Sequence, residues 1–333
     1  METIESVQEY IETNKSLTFL SKLQSVKLLS GGLANFVYRL RFDDGSTAIL
    51  KYYAPFLASN RSVTLSQKRY FIEKAALKTL DSQPWLNKNP NSIIRTPKVL
   101  FNDDELYVLI MEDAGENTQT LFNLLGLNLN LDEKLVELIP KELKSFLNYL
   151  TEESGLTPGN EKIFKNESIW VILEGYFTEL WNRMTKNLKL EKELEPFLAR
   201  SNEIFKRKDD ENAVFVFGDL WPNSILIDQE KKLIWIVDWE VARYETKTRD
   251  LEQLLANLWV MKQSPKFDQI KIEKLIRKFQ LEFFGNEDSD WRLHCGDFAK
   301  CNFILWVTGL LNETHWGIDD NQAVALKALN EIK

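Results

Sequence analysis

The sequence predicts an α+β protein of two lobes, a small β-rich N-terminal lobe and a larger helical C-terminal lobe. Three observations predict it. Between residues 25 and 112, short runs of β-branched and aromatic residues alternate with polar ones and are bounded by turn residues, the pattern of strands. Beyond Glu112, apolar residues recur at helical spacing over most of the chain. That helical run is interrupted by SILID and LIWIV, two short apolar runs joined by the polar QEKK, which reads as an antiparallel hairpin.

In the N-terminal lobe, residues 1–112, SVKLLS and FVYRLRF are strands flanking a glycine pair, STAILKYY follows a DDG turn, and ELYVLIME closes the section. One helix interrupts them, roughly Leu65 to Leu80. The C-terminal lobe, 113–333, reads as helices near 131–152, 167–188, 190–207, 249–263, 267–284, 292–311 and 320–332. A chain of 333 residues has room for two closely packed lobes, and 44% hydrophobic with 28% charged residues is ordinary globular composition.

A net charge of −8 and the lack of a basic patch argue against nucleic acid or an anionic membrane as partner. KRKDDEN at 206–212 is mixed in sign and reads as a solvated turn. No stretch has the length of a signal-peptide core or a membrane span, so a cytoplasmic location is expected. Cys295 and Cys301 fall on different faces of a helix, which disfavours a disulfide. With His294 and His315 they match no common zinc spacing. Nothing in the sequence specifies an oligomeric state.

The hairpin concentrates chemistry. Pairing its strands brings Ser224, at the entrance, beside Asp238, at the exit, with Asp219 in the preceding loop. Two carboxylates and a hydroxyl at one end suit Mg²⁺, which takes hard oxygen ligands and few protein carboxylates when phosphates supply the rest. Gly31 and Gly32 lie between two strands, where backbone N–H groups can close over phosphate oxygens. Lys51 stands in an apolar strand, where it either points to water from an edge strand or has a partner, for which Glu73 on the helix is the candidate.

Taken in order, SGGLANFVYRL, Lys51, Glu73, VLIMEDAG, GDLWPNSILID and IVDWE resemble the aminoglycoside phosphotransferase and choline kinase-like family over residues 25 to 260. The spacing of 19 between Asp219 and Asp238 also matches that family. The resemblance implies a bilobal protein kinase-like fold and an ATP- and Mg²⁺-dependent transfer of a γ-phosphoryl group to a small-molecule hydroxyl. It implies that Asp219 orients the acceptor hydroxyl, that Asp238 and Ser224 ligate the metal, and that Lys51, held by Glu73, binds the α/β-phosphates. Gly31, Gly32 and Asn35 would belong to the phosphate-covering loop. Met111, Glu112 and Ala114 would lie in the hinge that holds adenine, and Leu226 would be its apolar floor. Asp250 would steady the catalytic loop.

Two positions depart from that pattern. Phe217 stands where such loops usually carry histidine, and Ser224 where they carry the asparagine that ligates metal. An aromatic can fill the histidine's volume, and serine still offers an oxygen. Asn223 takes the usual glycine position and tolerates left-handed backbone. The alternative reading is a catalytically weak, nucleotide-binding pseudokinase serving as scaffold or sensor. A protein kinase is disfavoured, because eleven residues between Asp238 and Asp250 leave no activation segment. HCGDFAKCN at 294–302 imitates the loop but precedes a helical pattern with no hairpin. Glu240, Glu245 and the tryptophans Trp221, Trp239 and Trp259 lie near the site in sequence; they are compatible with a pocket for a cationic amine and equally with a solvated surface for the acids and a structural role for the tryptophans.

Overall fold

The N-terminal lobe is built on a five-stranded antiparallel sheet in the order Leu23–Leu28, Phe36–Phe42, Thr47–Tyr52, Val108–Glu112, Val99–Asp103. The computed structural model describes residues 1–17, 20–29, 34–82, 85–158, 162–167, 169, 170, 192, 195, 212–294 and 316–332. The strand VLIME has no polar alternation because both of its faces are covered. Val108 and Ile110 join a core formed with Tyr38, Leu40 and Leu50, whereas Leu109 and Met111 join the main core with Ile72 and Leu77 of the helix Lys68–Ser82. The first of these cores is closed by a helix, Ile4–Thr13, that the sequence reading had not assigned. Its apolar stripe is only Val7, Tyr10 and Ile11, and its start is capped by the Thr3 hydroxyl, which accepts from Ser6 N–H at 3.2 Å.

The hairpin forms as expected, with Ile225–Asp228 antiparallel to Leu233–Ile236. It sits inside a four-stranded sheet between Ile94–Arg95 and Gln119–Thr120. A smaller pair, Val214–Val216 with Arg243–Glu245, brackets the loop that contains Asp219. Helices Glu133–Asn148, Arg249–Lys262, Gln269–Phe284 and Asn321–Ile332 lie within two residues of the expected boundaries, apart from the first, whose end turns into a π-helical segment Tyr149–Glu153. The helix expected at 65–80 spans Lys68–Ser82.

Arg249–Lys262 is buried along thirteen of its fourteen residues, including Arg249, Asp250, Glu252, Gln253 and Asn257. A helix buried all round must find internal partners for its polar groups, and two of them, Asp250 and Gln253, find theirs on the loop 217–219. The expected helices near 167–188 and 190–207, and most of 292–311 with Cys295, Cys301 and His315, lie outside the described residues. Among the described residues, no helix is long and apolar enough to cross a membrane.

Candidate active site

Hairpin register does what the sequence promised. Ile225 pairs with Ile236, and Val237 N–H donates to the Ser224 carbonyl at 3.0 Å, so the entrance and exit of the hairpin are neighbours. Asp238 follows immediately, with φ of 78°. A non-glycine residue in that region costs about 1–3 kcal/mol and persists where surrounding contacts over-determine it. Here the contact is Lys51, whose ammonium reaches the Asp238 carboxylate and, at 2.6 Å, that of Glu73. Glu240 lies 3.9 Å from the same ammonium.

Lys51 is thus buried in a cup of three carboxylates. Burial alone would lower its pKa, but Asp238, Glu73 and Glu240 outweigh that and raise it, so it is a fixed cation. Glu73 is held in turn by the Tyr53 hydroxyl at 2.6 Å and by Trp239 N–H at 3.2 Å. Tyr53 was not foreseen; its signal was its place two residues beyond Lys51, on the same face of the chain.

Asn35, expected in the phosphate-covering loop, turns its side chain inward. Its side chain is buried, donating to Glu240 at 2.6 Å and accepting from Arg69 at 3.0 and 3.2 Å. Arg69 also approaches Glu240 at 3.4 Å and donates to the Ala54 carbonyl at 2.6 Å. The chain just after the glycine pair is therefore tied to the turn that carries Asp238. Gly31 and Gly32 themselves lie outside the described residues.

The connector between the lobes is held by Asp113, paired with Arg39 at 2.6 Å and accepting from Gly115 N–H at 2.9 Å. Met111 and Ala114 are buried, and Glu112 N–H donates to the Lys98 carbonyl at 2.9 Å. Leu226 falls on the opposite face of its strand from the buried Ile225 and Ile227 and stays half-buried.

Asp219 stands in a different environment. Its loop is shaped by Gly218, whose φ is 88° and whose added Cβ would lie 2.6 Å from the Val241 carbonyl, so only glycine fits. Asp250 accepts from Phe217 N–H at 2.9 Å and Gly218 N–H at 2.7 Å, and Arg243 donates to the Gly218 carbonyl at 3.2 Å. Phe217 is fully buried, its ring edge-on to Trp239 at 4.6 Å, so an aromatic side chain occupies the histidine position as packing. Burial pushes the Asp219 carboxyl up to about 6, against a hydrogen bond from Gln253 that lowers it. Gln253 and Arg243 were not singled out from the sequence, because neither carries a motif letter.

Ser224 is buried, with its hydroxyl directed at its own turn: it donates toward the carbonyls of Trp221 at 2.9 Å and Asp219 at 3.1 Å, and accepts from Trp221 N–H at 3.1 Å. One lone pair is left for a further contact. The oxygens of Asp238, Glu73 and Glu240 fall within 4.8 Å of one another around the Lys51 ammonium, and of the three it is the partly exposed Asp238 that is open to a hard cation such as Mg²⁺.

Two readings for an amine site are corrected. Glu240 is committed to Asn35, Arg69 and Lys51, and Glu245 is buried against Arg243 and Arg249. Trp239 is fully buried and Trp259 donates to Glu331 at 2.8 Å, which leaves Trp221 as the half-buried member of that trio.

The sequence profile of a family described as "Phosphotransferase enzyme family" matches residues 25–279. A 4-hydroxytryptamine kinase of Psilocybe cubensis is 22% identical over 330 residues, covering 92% of this chain and 88% of that protein. One from Psilocybe cyanescens is 23% identical over 273 residues, covering 78% of this chain and 74% of that protein. Among solved structures, a choline/ethanolamine kinase family protein from Mesorhizobium loti has a TM-score of 0.52 at 16% identity, covering 100% of this chain and 94% of that one. The GDP complex of aminoglycoside 2'-phosphotransferase-IIIa has a TM-score of 0.53 at 13% identity, covering 99% and 98%. These likenesses establish a bilobal, protein kinase-like fold.

Proposed function

This chain belongs to the phosphotransferase enzyme family, and from that premise we propose that it transfers the γ-phosphoryl group of ATP, with Mg²⁺, to a hydroxyl of a small molecule. The observation that carries the reading is the arrangement at one end of the hairpin. Asp219 is in the loop before it, Asp238 is at its exit, and Lys51 bridges Asp238 to Glu73.

Each residue has a part that its setting supports. Asp219, desolvated and lacking a paired cation of its own among the described residues, is suited to orient an acceptor hydroxyl and take its proton. Lys51, fixed by Glu73, meets the α/β-phosphates, and the loop with Gly31 and Gly32 covers them. Met111, Glu112 and Ala114 line the hinge for adenine, with Leu226 as its floor and the lobe boundary at 112/113. Asp238 would hold Mg²⁺ with Ser224 offering a second oxygen; the bound metal supplies charge neutralisation of the phosphates. The amicoumacin kinase to which this fold is similar was solved with AMP-PNP and Ca²⁺, at a TM-score of 0.51 and 15% identity over 99% of this chain and 96% of that one.

For the acceptor, we read a small hydroxyl compound, alcohol or phenol, that carries an amine or quaternary ammonium group. Two relatives are named for 4-hydroxytryptamine, and structural neighbours for choline and ethanolamine. The test is MgATP consumption with 4-hydroxytryptamine, ethanolamine, choline and an aminoglycoside, run beside Asp219→Asn. Turnover is expected with an amine- or ammonium-bearing hydroxyl compound and should fall by about 10²–10⁴ in the mutant at unchanged nucleotide affinity. Nucleotide binding with the same residual ATPase in both proteins, and no acceptor that accelerates it, would leave a scaffold in place of an enzyme.

A further inference from the structure

We propose that Gln253 is the positioning residue of Asp219, its side-chain amide holding one carboxylate oxygen so that the other faces the acceptor hydroxyl. This rests on the reading of Asp219 as the group that engages the acceptor.

The geometry points to it from three sides. Gln253 Nε2 donates to Asp219 Oδ1, and among the described residues no other side chain donates to that carboxylate. Only the NH₂ end of an amide can face a carboxylate, because the carbonyl end would meet it as like dipoles. The orientation leaves Gln253 Oε1 buried with no partner among the described residues, which costs free energy, so the contact with Asp219 sets the amide's direction. Gln253 also stands three residues after Asp250 on one helix, and residues at that interval share a face. Asp250 fixes the main chain of the loop through Phe217 and Gly218 N–H, and Gln253 fixes the side chain of the next residue.

The choice of amide has a chemical reason. A lysine or arginine at 253 would hold Asp219 as firmly but neutralise it, weakening it as a proton acceptor. A neutral donor restrains the carboxylate while leaving its charge free to act on the acceptor. The helix anchors the amide further: Asn257 Nδ2 donates to the Gln253 carbonyl at 2.8 Å, and both side chains are essentially inaccessible to solvent.

Gln253→Met keeps the length and removes the donor, and Gln253→Glu keeps the shape and replaces the donor with an acceptor. Crystal structures of the wild type and Gln253→Met read the positioning. MgATP turnover, with 4-hydroxytryptamine as acceptor probe and with water alone as phosphate release, reads the consequence. Gln253→Met should swing the Asp219 carboxylate away while the Phe217–Gly218 backbone stays on Asp250. It should lower kcat about 10–100-fold, the scale of one hydrogen bond to a charged group, with the KM for MgATP unchanged. Gln253→Glu should lose at least as much. In an Asp219→Asn background Gln253→Met should cost nothing further, since both act through one group. An unmoved Asp219 in the Gln253→Met crystal overturns the inference, as does an additive loss in the double mutant. Wild-type turnover in Asp219→Asn would instead sink the reading of Asp219 itself, so the two failures are told apart.

Discussion

The two aspartates at one end of the hairpin are alike in residue type and opposite in setting. Asp238 is 44% exposed along its side chain, sits on left-handed backbone and is gripped by the ammonium of Lys51. Asp219 lies among buried neighbours, receives a neutral amide, and has its carboxyl pushed up to about 6 by burial. A carboxylate beside a fixed cation, opening to solvent, is built to receive another charge. One that is desolvated and restrained by a neutral donor is built to hold or take a proton. The lesson is that the division of labour proposed for them would sit in what surrounds each carboxylate.

If the difference is as described, Asp238→Ala should be the more damaging change. Losing a carboxylate from a dication and phosphate site removes formal charge, and turnover should fall about 10³–10⁵-fold, more than for Asp219→Asn. Steady-state rates over a Mg²⁺ series check this, and an Asp238→Ala protein with near wild-type rates breaks the comparison.

Next in size is Lys51→Ala, which leaves buried Glu73 with Tyr53 and Trp239 N–H as donors. Removing one partner of a buried ion pair costs about 3–5 kcal/mol, to be read by urea unfolding. The stabilisation by MgATP, roughly 2.7 kcal/mol at 100 times Kd, should shrink in the same variant.

Glu252 sharpens the contrast by showing burial acting on a carboxyl with no proposed chemistry. Burial raises it to about 7, opposed by the Thr248 hydroxyl and by Arg249. Because that value lies above the ordinary 4.5, the folded chain keeps a proton that the unfolded chain has released; stability is full below about pH 4.5 and is lost as pH rises through about 7. Glu252→Gln should therefore stabilise at pH 8, by on the order of 2 kcal/mol, and do little at pH 4.5. Melting curves at the two pH values decide it.

The smallest effect belongs to Ser224→Ala. Its hydroxyl contacts in the 219–224 turn would be lost, at about 1 kcal/mol. If the remaining lone pair meets the metal, the Mg²⁺ requirement should rise, and Ser224→Asn should restore it. An unchanged Mg²⁺ dependence in Ser224→Ala removes Ser224 from the metal site.

Much of this was legible beforehand. Hairpin register and Lys51 beside Glu73 follow from strand periodicity and from a lysine too apolar in context to stand alone, and Asp250 on the loop from the family resemblance. What was hidden has a common physical cause. Asn35, Arg69 and Glu240 meet across more than 200 residues, with Asn35 and Glu240 205 apart, and no local pattern encodes such a contact. Glu240 and Glu245 looked like surface acids because sequence shows charge but not burial. Gln253 was invisible for the opposite reason, as an uncharged residue in an amphipathic helix whose polar face turned out to be interior. The Ile4–Thr13 helix was missed because its apolar stripe is three residues long and becomes meaningful only against the sheet.

The most direct measurement of the division between the aspartates is calorimetric binding of a non-hydrolysable ATP analogue, with and without Mg²⁺, to Asp219→Asn and Asp238→Asn. Asp219→Asn should bind as the wild type does and keep the full gain from Mg²⁺, while Asp238→Asn should bind the nucleotide equally with and without the metal. The contradicting result is the exchange of those outcomes, with the metal's effect lost in Asp219→Asn and retained in Asp238→Asn.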